Sequence, residues 1–253
     1  LEFFKTMDNI FKTETEVLEF LSSDGYTVVN GDNKYLKKLK GRKNLITFGF
    51  EKTNDLIIEM KDKTSDFIYL GKRYSIKLKN HIKHNYLNAA GAFIVGMILK
   101  IPPVKIIRSL QSFRGVPLRM EIIKRKNSII MLDAYNANPQ SMDVAIDEIK
   151  RYGNFAVVIR DMKELGRYSK KYHLELAKKI LESNPSYVFL IGPEIYIAYD
   201  FLKTRMKNVK YYSNVEDASD VKSFIQINKN LNFLIKASRS MQLEKLIKKD
   251  TKH

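Results

Sequence analysis

The sequence predicts an α/β protein built from two parts. After Gly115 and Pro117, apolar runs alternate in a regular rhythm with amphipathic helical patterns. Short strands that alternate with helices favour a mainly parallel sheet covered on both faces, as in Rossmann-like domains. Before that point, residues 56–78 carry short alternating runs around Gly71-Lys72, which are typical of antiparallel hairpins. We therefore expect two domains, residues 1–114 and residues 115–253.

The first part is expected to hold parallel strands followed by the antiparallel β segment. Apolar residues at helical spacing predict helices, and short apolar runs predict strands. The predicted elements are a helix over 8–21, strands over 26–29, 45–48, 56–58, 67–70 and 74–76, and helices over 84–100 and 104–113.

The second part is expected to be Rossmann-like. Pro and Gly mark its start, and strands and helices then follow one another to the end of the chain. Its predicted strands cover 129–132, 155–159, 187–191 and 232–235, and its predicted helices cover 141–151, 169–183, 193–203 and 216–227.

Composition excludes several classes of protein. A chain of 253 residues with 44% hydrophobic content can bury a substantial core. It contains no Cys, which excludes disulfides and thiolate metal sites. The longest apolar run, residues 89–99, is far shorter than the roughly 20 residues that cross a bilayer. Since no secretory signal is visible either, we expect a cytoplasmic protein without membrane insertion. We also expect a monomer.

The formal charge of +17 raises the possibility of a nucleic-acid ligand. The basic residues cluster only at 34–43 and 245–252, and neither cluster has the interleaved aromatic residues that stack on bases. We expect no nucleic-acid partner. A basic α/β protein that binds nucleic acid stays as a third reading, which salt-dependent binding to a generic duplex would test.

A polar strand end at residues 133–139 is the main candidate site. The apolar run 129–132 ends in Asp133, Tyr135 and Asn136, and Asn138 and Pro139 lead into the next helix. In open α/β sheets, ligands bind outside the carboxyl ends of the strands. The alternative is an ordinary turn, because Asn, Asp and Pro are turn formers.

This strand end also carries a family resemblance. The run from Asp133 to Met142 resembles the D-x-Y-N-A-N-P-x-S-M segment of MurF-type Mur ligases, the UDP-N-acetylmuramoyl-tripeptide–D-alanyl-D-alanine ligases. Further matches follow in the family's order along the chain. They are Leu1-Glu2-Phe3-Phe4, Asn30-Gly31-Asp32-Asn33, His84-Asn85-Tyr86-Leu87-Asn88-Ala89-Ala90, Val116-Pro117-Leu118-Arg119-Met120-Glu121, Asp161-Met162-Lys163-Glu164-Leu165-Gly166 and Lys236-Ala237-Ser238-Arg239-Ser240-Met241.

The resemblance implies an ATP-dependent amide ligase of peptidoglycan precursor synthesis. ATP and Mg²⁺ would be its cofactors, and UDP-MurNAc-tripeptide and D-alanyl-D-alanine its substrates, joined through an acyl phosphate. The chain matches the second half of the family's central ATPase domain and the whole C-terminal domain. The phosphate-binding loop G-x-x-G-K-[ST] has no match in these residues. We therefore expect no ATP hydrolysis by this stretch alone.

The resemblance also assigns roles to individual residues. Asn85 and Asn88 correspond to residues on the adenine side of the nucleotide, with N-terminal helix capping as the alternative. Arg119 corresponds to the arginine that reaches the nucleotide when the domains close, and it is the expected catalytic residue; the alternative is a surface arginine.

The remaining expected site residues lie at strand ends of the second part. The resemblance implies that Asp133 contacts the ribose and that Tyr135 and Asn136 line the same face. Other residues at strand ends are expected to line the cleft. They are Asp161, Lys236, Ser238 and Arg239.

The sequence departs from the family pattern at four positions. Glu14 stands where the family has a carbamylated lysine that helps hold Mg²⁺, unless a slip of one or two residues places Lys12 there. A carboxylate could imitate the carbamate and bind the metal. The three other departures, Leu118, Arg160 and Ala237, replace glycines, which serve where backbone approaches a ligand or adopts positive φ. They motivate an alternative: a non-catalytic Mur ligase relative that retains nucleotide or partner binding.

Overall fold

The structure is a computed structural model that describes residues 4–238. These residues form two compact units, Phe4–Arg114 and the residues from Gly115 onward. Among the helices of this described part, none is both long and apolar enough to cross a membrane.

The first unit contains a five-stranded mixed sheet. The strands lie in sequence order, β1 to β3 parallel and β3 to β5 antiparallel. Its elements are α1 (Met7–Thr15), β1 (Thr27–Asn30), β2 (Leu45–Gly49), β3 (Leu56–Met60), β4 (Ser65–Tyr69), β5 (Lys72–Ile76), α2 (Lys83–Ile98) and α3 (Pro103–Ser112). The predicted combination of parallel strands with an antiparallel segment is therefore confirmed.

The hairpin between β4 and β5 turns at Leu70 and Gly71, both of which have positive φ (48° and 71°). Two residues with positive φ form the tight turn that suits the twist of a hairpin. The turn thus lies one residue earlier than the Gly71-Lys72 pair expected from the sequence.

The core of the first unit lies between the sheet and α2. Tyr86 and Phe93 of α2 are fully buried, and both pack edge-on against Phe67 of β4. Aromatic rings in such T-shaped pairs add to the stabilisation that burial provides. This packing fixes α2, and therefore Asn85 and Asn88, relative to the strands.

The second unit contains a six-stranded sheet in the order β10-β9-β8-β11-β7-β6, parallel except for the edge strand β6. Helix α7 packs on one face of the sheet. The central strands of the sheet are buried at consecutive positions. The predicted Rossmann-like α/β class is confirmed. Its elements are β6 (Glu121–Lys124), β7 (Ile129–Asp133), α4 (Pro139–Lys150), β8 (Phe155–Arg160), α5 (Ser169–Ser183), β9 (Tyr187–Ile191), α6 (Tyr196–Leu202), β10 (Val209–Tyr212), α7 (Ser219–Ile227) and β11 (Asn232–Lys236).

Two edge strands of this sheet, β6 and β10, were not expected. The sequence Glu-Ile-Ile-Lys of β6 and Val-Lys-Tyr-Tyr of β10 lack the apolar runs that mark the central strands. An edge strand has one paired neighbour and is partly solvated, so its residues need not be apolar. Helix α6 also begins later than predicted. It follows a bend at Gly192 (φ of 122°) and Pro193 and a turn at Glu194 and Ile195.

Candidate functional site

Two charged residues lie side by side at the carboxyl ends of β7 and β11. Asp133 and Lys236 are paired in register on these parallel strands. Their side chains form an ion pair in which Nζ lies 2.5 Å from Oδ2. The Lys236 side chain is fully buried, and that of Asp133 is 12% exposed. The strand ends thus bring together two of the residues predicted to form the site.

The lysine is held away from solvent. Nζ of Lys236 also donates to the carbonyl oxygen of Asn136 at 3.0 Å. Burial lowers the pKa of Lys236, while the ion pair and hydrogen bond with Asp133 act in the opposite direction. Lys236 therefore acts within the protein and cannot touch a ligand without a rearrangement of the strand ends.

Both carboxylate oxygens of Asp133 have partners inside the protein. Oδ2 accepts from Lys236, and Oδ1 accepts from the backbone N–H of Met120 at 3.2 Å. A carboxylate has about four acceptor positions, so these bonds leave some acceptor capacity. The contact of Asp133 with a ribose stays a prediction.

Arg119 lies in an exposed position beside Tyr135. Its guanidinium carbon is 4.0 Å from the centre of the Tyr135 ring, which is cation–π geometry. The two residues predicted to share the site are thus in contact. The exposed donors of the guanidinium can reach an anion from this position.

The backbone around Arg119 adopts an uncommon conformation. Leu118 and Met120, which flank it, have φ of 63° and 46°. Such left-handed values are unfavourable for side chains with a Cβ. Leu118, which the resemblance aligns with a family glycine, is partly buried against the core of the second unit. The glycine replacement at this position is therefore accommodated at a conformational cost, with apolar packing as partial compensation.

The two other positions that the resemblance aligns with family glycines are not left-handed. Neither Arg160 nor Ala237 is among the described residues with positive φ. Ala237 is fully buried within the core, next to Ser238, which is 9% exposed. The backbone conformation at these two positions does not require glycine. Arg239, a predicted cleft residue, lies outside the described residues.

Asp161 is a buried anchor at the end of β8. It is fully buried, and its Oδ1 accepts from the N–H of Ile195 at 2.8 Å. A Cβ on Gly192 would overlap the Asp161 carboxylate. Asp161 therefore fixes the loop that follows β9, a role that its predicted position in the cleft did not indicate.

His173 anchors the loop that follows β8 through a hydrogen bond with the backbone of Met162. It is fully buried on α5, and its Nε2 lies 3.0 Å from the backbone nitrogen of Met162. Because Met162 N–H is the donor, Nε2 must accept, which assigns the ring proton to Nδ1. Nδ1 then donates to the Ser169 carbonyl at 2.9 Å. Burial lowers the pKa of His173 and favours this neutral form.

An ion pair closes the same network at the surface. Nζ of Lys163 lies 2.9 Å from Glu194 and 3.4 Å from Asp161. Burial alone would raise the pKa of Glu194, but hydrogen bonds from Ser169 and Lys163 outweigh it and lower the pKa. His173, Ser169 and Glu194 were not predicted from the sequence, because the contacts that join them form only in the folded chain.

In the first unit, Asn85 and Asn88 lie one turn apart near the start of α2. Asn85 is half-buried and donates to the carbonyl oxygen of Asn80 at 3.4 Å, and Asn88 is exposed. The N-cap residue of α2 is Ile82, which makes no side-chain cap. Neither asparagine therefore caps the N-terminus of α2.

In the first unit, the motif at residues 30–33 connects the ends of two neighbouring strands through hydrogen bonds of Asp32. The carboxylate of Asp32 accepts from the N–H groups of Phe50 and Glu51 and from the Asn54 amide, at 2.7, 3.1 and 2.8 Å. Burial would raise the pKa of Asp32, but these hydrogen bonds outweigh it and lower the pKa. The motif thus joins the ends of β1 and β2.

Glu14 lies on the exposed side of α1, and Lys12 is exposed as well. No group of three or more His, Asp or Glu side chains that could hold a metal ion occurs among residues 4–238. Mg²⁺ can be held by one carboxylate together with water and substrate phosphates. Glu14 therefore fits a metal only as part of such a mixed set, and its role stays a prediction.

Two family models match the chain. The model for the Mur ligase middle domain matches residues 1–96, and the model for the Mur ligase glutamate ligase domain matches residues 118–239. The two matches leave the region around Gly115 between them. They correspond to the two units of the structure.

Individual relatives agree with these models. The UDP-N-acetylmuramoyl-tripeptide–D-alanyl-D-alanine ligase of Rickettsia prowazekii is 28% identical over 98% of this chain and 58% of its own length. The UDP-N-acetylmuramate–L-alanine ligase of Clostridium acetobutylicum is 29% identical, over 60% of this chain and 35% of its own length. The chain therefore spans little more than half of the first relative.

The fold is also that of a solved Mur ligase. The crystal structure of MurF ligase from Thermotoga maritima in complex with ADP matches 98% of this chain and 58% of its own, with a TM-score of 0.80 and 24% sequence identity. Both units, the strand-end motif and the family models lead to one conclusion. The chain belongs to the Mur ligase family and carries its middle and C-terminal domains.

Proposed function

We propose that this chain is the middle and C-terminal part of a ligase that adds D-alanyl-D-alanine to UDP-MurNAc-tripeptide. ATP activates the tripeptide carboxylate as an acyl phosphate, which the amine of D-alanyl-D-alanine then attacks. The observation that carries this proposal is the contact of Arg119 with Tyr135 beside the Asp133–Lys236 pair. The similarity to a D-alanyl-D-alanine ligase over 98% of the chain supports the choice of acceptor.

In this proposal, Arg119 neutralises negative charge on the nucleotide phosphates. Its guanidinium is exposed, always charged and held in a fixed direction by the Tyr135 ring. Preorganised donors of this kind stabilise the charge that develops during phosphoryl transfer. Asn85 and Asn88 would contact the adenine, since an amide can match a base edge as both donor and acceptor.

Binding of Mg²⁺ and of the nucleotide phosphates requires ligands in addition to Arg119. Glu14 would share Mg²⁺ with water and the nucleotide phosphates, because a carboxylate oxygen is a ligand that this ion prefers. These 253 residues contain no G-x-x-G-K-[ST] loop to hold those phosphates. We therefore propose that ATP turnover requires residues beyond this stretch, and that Arg119, Asn85, Asn88 and Glu14 add contacts to the nucleotide and the metal.

The test is phosphate release that depends on D-alanyl-D-alanine, measured on the product of the whole reading frame that encodes these residues. Arg119→Ala should lower kcat/KM by about 10²-fold, the usual effect of removing one stabilising donor. Arg114→Ala, at an exposed position, is the matched control and should keep the wild-type rate. No phosphate release by the wild type, or equal rates for the two variants, would reject the proposal.

A substitution at Glu14 distinguishes a functional metal ligand from a damaged carbamate position. If Glu14 serves as the metal ligand, Glu14→Lys should lower activity and raise the Mg²⁺ concentration needed for half-maximal rate. A higher activity in Glu14→Lys would instead identify Glu14 as a damaged carbamate position. Glu16→Lys, two residues away on the same exposed segment, is the charge-matched control.

A second candidate function is a non-catalytic relative that retains binding. The left-handed Leu118 at a family glycine position favours it, because a side chain there can block the approach of a ligand to the backbone. Binding of ADP without phosphate release by the whole-frame product, unchanged in Glu14→Lys, would favour this candidate. Release that depends on D-alanyl-D-alanine would reject it.

A further inference from the structure

We infer that the Asp133–Lys236 pair is a positioning device for Arg119. The inference rests on the proposed function for the role of Arg119, but its structural part stands on this chain alone. Lys236 is fully buried and Asp133 nearly so. Their hydrogen bonds lead to the two short segments that hold Arg119 and Tyr135. The pair therefore acts on a ligand through Arg119.

The first segment is the left-handed turn at residues 118–120. Leu118 and Met120 both adopt positive φ, so this turn does not form without external restraint. Asp133 supplies one restraint by accepting the N–H of Met120 at 3.2 Å. Glu121 supplies another by accepting the N–H of Leu118 at 3.1 Å. Arg119 lies between these two points and takes its direction from them.

The second segment is the strand end at residues 133–136. Lys236 donates both to Asp133 Oδ2 and to the carbonyl oxygen of Asn136 at 3.0 Å, so one ammonium group holds both ends of the segment. Tyr135 lies between these two residues, and its N–H donates to the Leu118 carbonyl at 3.1 Å. The ammonium group thus fixes the ring on which the guanidinium rests.

The two segments form one unit because Asp133 belongs to both sets of contacts. Its Oδ2 is held by Lys236, which orients Oδ1 towards Met120. A neutral side chain at position 236 would leave the carboxylate free to rotate. We expect the turn then to relax out of its left-handed conformation and to release Arg119 from Tyr135.

The experiment follows the Arg119 side chain by NMR on the full 253-residue chain, with isotope-labelled arginine. The Tyr135 ring 4.0 Å away should shift the Arg119 side-chain proton signals upfield, and Tyr135→Ala, which removes the ring, assigns the shift. The test variant is the double replacement of Asp133→Asn with Lys236→Met, which leaves no unpaired buried charge and should fold. Lys210→Met, on edge strand β10 of the same sheet, is the matched control, because it breaks an exposed ion pair with Asp220 of α7.

We expect the upfield shift in the wild type and in Lys210→Met, and its loss in the double variant while the amide spectrum remains that of a folded protein. Retention of the full shift in the double variant would overturn the inference. Lys236→Met alone is a second probe, and the same loss of shift in its folded fraction is expected.

Activity provides an independent measurement on the whole-frame product. Lys236→Met, which keeps Asp133 and its predicted ribose contact, should lose kcat/KM by the same factor as Arg119→Ala in its folded fraction, and adding Arg119→Ala to it should cause no further loss, because both act through one group. The double variant should lose at least as much. A wild-type rate in the double variant would overturn the inference. If the wild type itself is inactive, the proposed function fails, while the NMR result still decides whether the pair positions Arg119.

Discussion

Lys236 and Asp133 occupy paired positions on β11 and β7, with 2.5 Å between Nζ and Oδ2 and almost no exposure to solvent. A buried ion pair contributes little compared with apolar residues, but removal of one partner leaves an uncompensated charge in the interior. Replacement of one member of the pair should therefore cost more stability than replacement of both.

Lys236→Met should destabilise the second unit by about 3–5 kcal/mol, the usual result of stranding one buried charge. Adding Asp133→Asn should recover a large part of that loss, because no buried charge then remains. Urea unfolding of the single and double variants measures both effects. Simple additivity of the two single losses would contradict this account of the pair.

Gly192→Ala should be far more costly than Gly153→Ala. Both glycines have positive φ, but a Cβ at Gly153 meets open space, whereas one at Gly192 overlaps Asp161. Backbone strain alone should cost roughly 1–2 kcal/mol at Gly153. Overlap with a buried carboxylate should add about 1–3 kcal/mol at Gly192. Urea midpoints of the two variants give the comparison, and equal losses would show that Asp161 is not held rigidly against Gly192.

The loop after β8 should weaken below about pH 6.5, the usual pKa of histidine. Burial lowers the pKa of His173, so the unfolded state binds more protons than the folded state between the two pKa values. Stability is therefore complete above the unfolded pKa and declines as the pH falls through this window. Amide exchange of Met162, corrected for intrinsic exchange, should accelerate between pH 7.5 and 5.5.

The matched control for this pH dependence is His173→Gln, whose side-chain oxygen can accept the Met162 N–H but does not titrate. Its exchange should show little dependence on pH over the same range. The charged neighbours Asp161, Lys163 and Glu194 remain in both proteins, so they cannot account for a difference. Parallel pH profiles for the two proteins would reject His173 as the cause.

Asn138→Ala should cost about 1 kcal/mol, the typical value for loss of an N-cap. The Asn138 side chain accepts from the N–H of Ser141 at 2.8 Å, and the Ser141 hydroxyl accepts the Asn138 N–H in return. Asn138→Asp keeps the acceptor and should be close to neutral in urea unfolding. A loss as large in Asn138→Asp as in Asn138→Ala would indicate that the amide has another role.

Sequence periodicity predicted the central strands of the second unit closely. The strand 187–191 was predicted with the bounds it has, and 129–132, 155–159 and 232–235 each lack only one residue. Continuous apolar runs identify these strands because both faces of the sheet are covered. The edge strands β6 and β10 escaped prediction because their solvated positions carry charged or polar residues.

The candidate site residues were chosen from the sequence, but the contacts among them were not predicted. The strand-end argument and the resemblance selected Asp133, Tyr135 and Lys236 from the sequence. That Lys236 is buried follows from the register of β11 against β7, which no local pattern fixes. The left-handed turn beside Arg119 was equally hidden, since Leu118 and Met120 are residues that rarely adopt positive φ.

The central claim concerns the acceptor, and the most direct measurement compares acceptors. Phosphate release by the whole-frame product should be measured with ATP and UDP-MurNAc-tripeptide, adding either D-alanyl-D-alanine or L-alanine. The account predicts release with D-alanyl-D-alanine, together with a product whose mass has grown by the dipeptide. Phosphate release that occurs only with L-alanine would contradict it. The absence of phosphate release with either acceptor would contradict it as well.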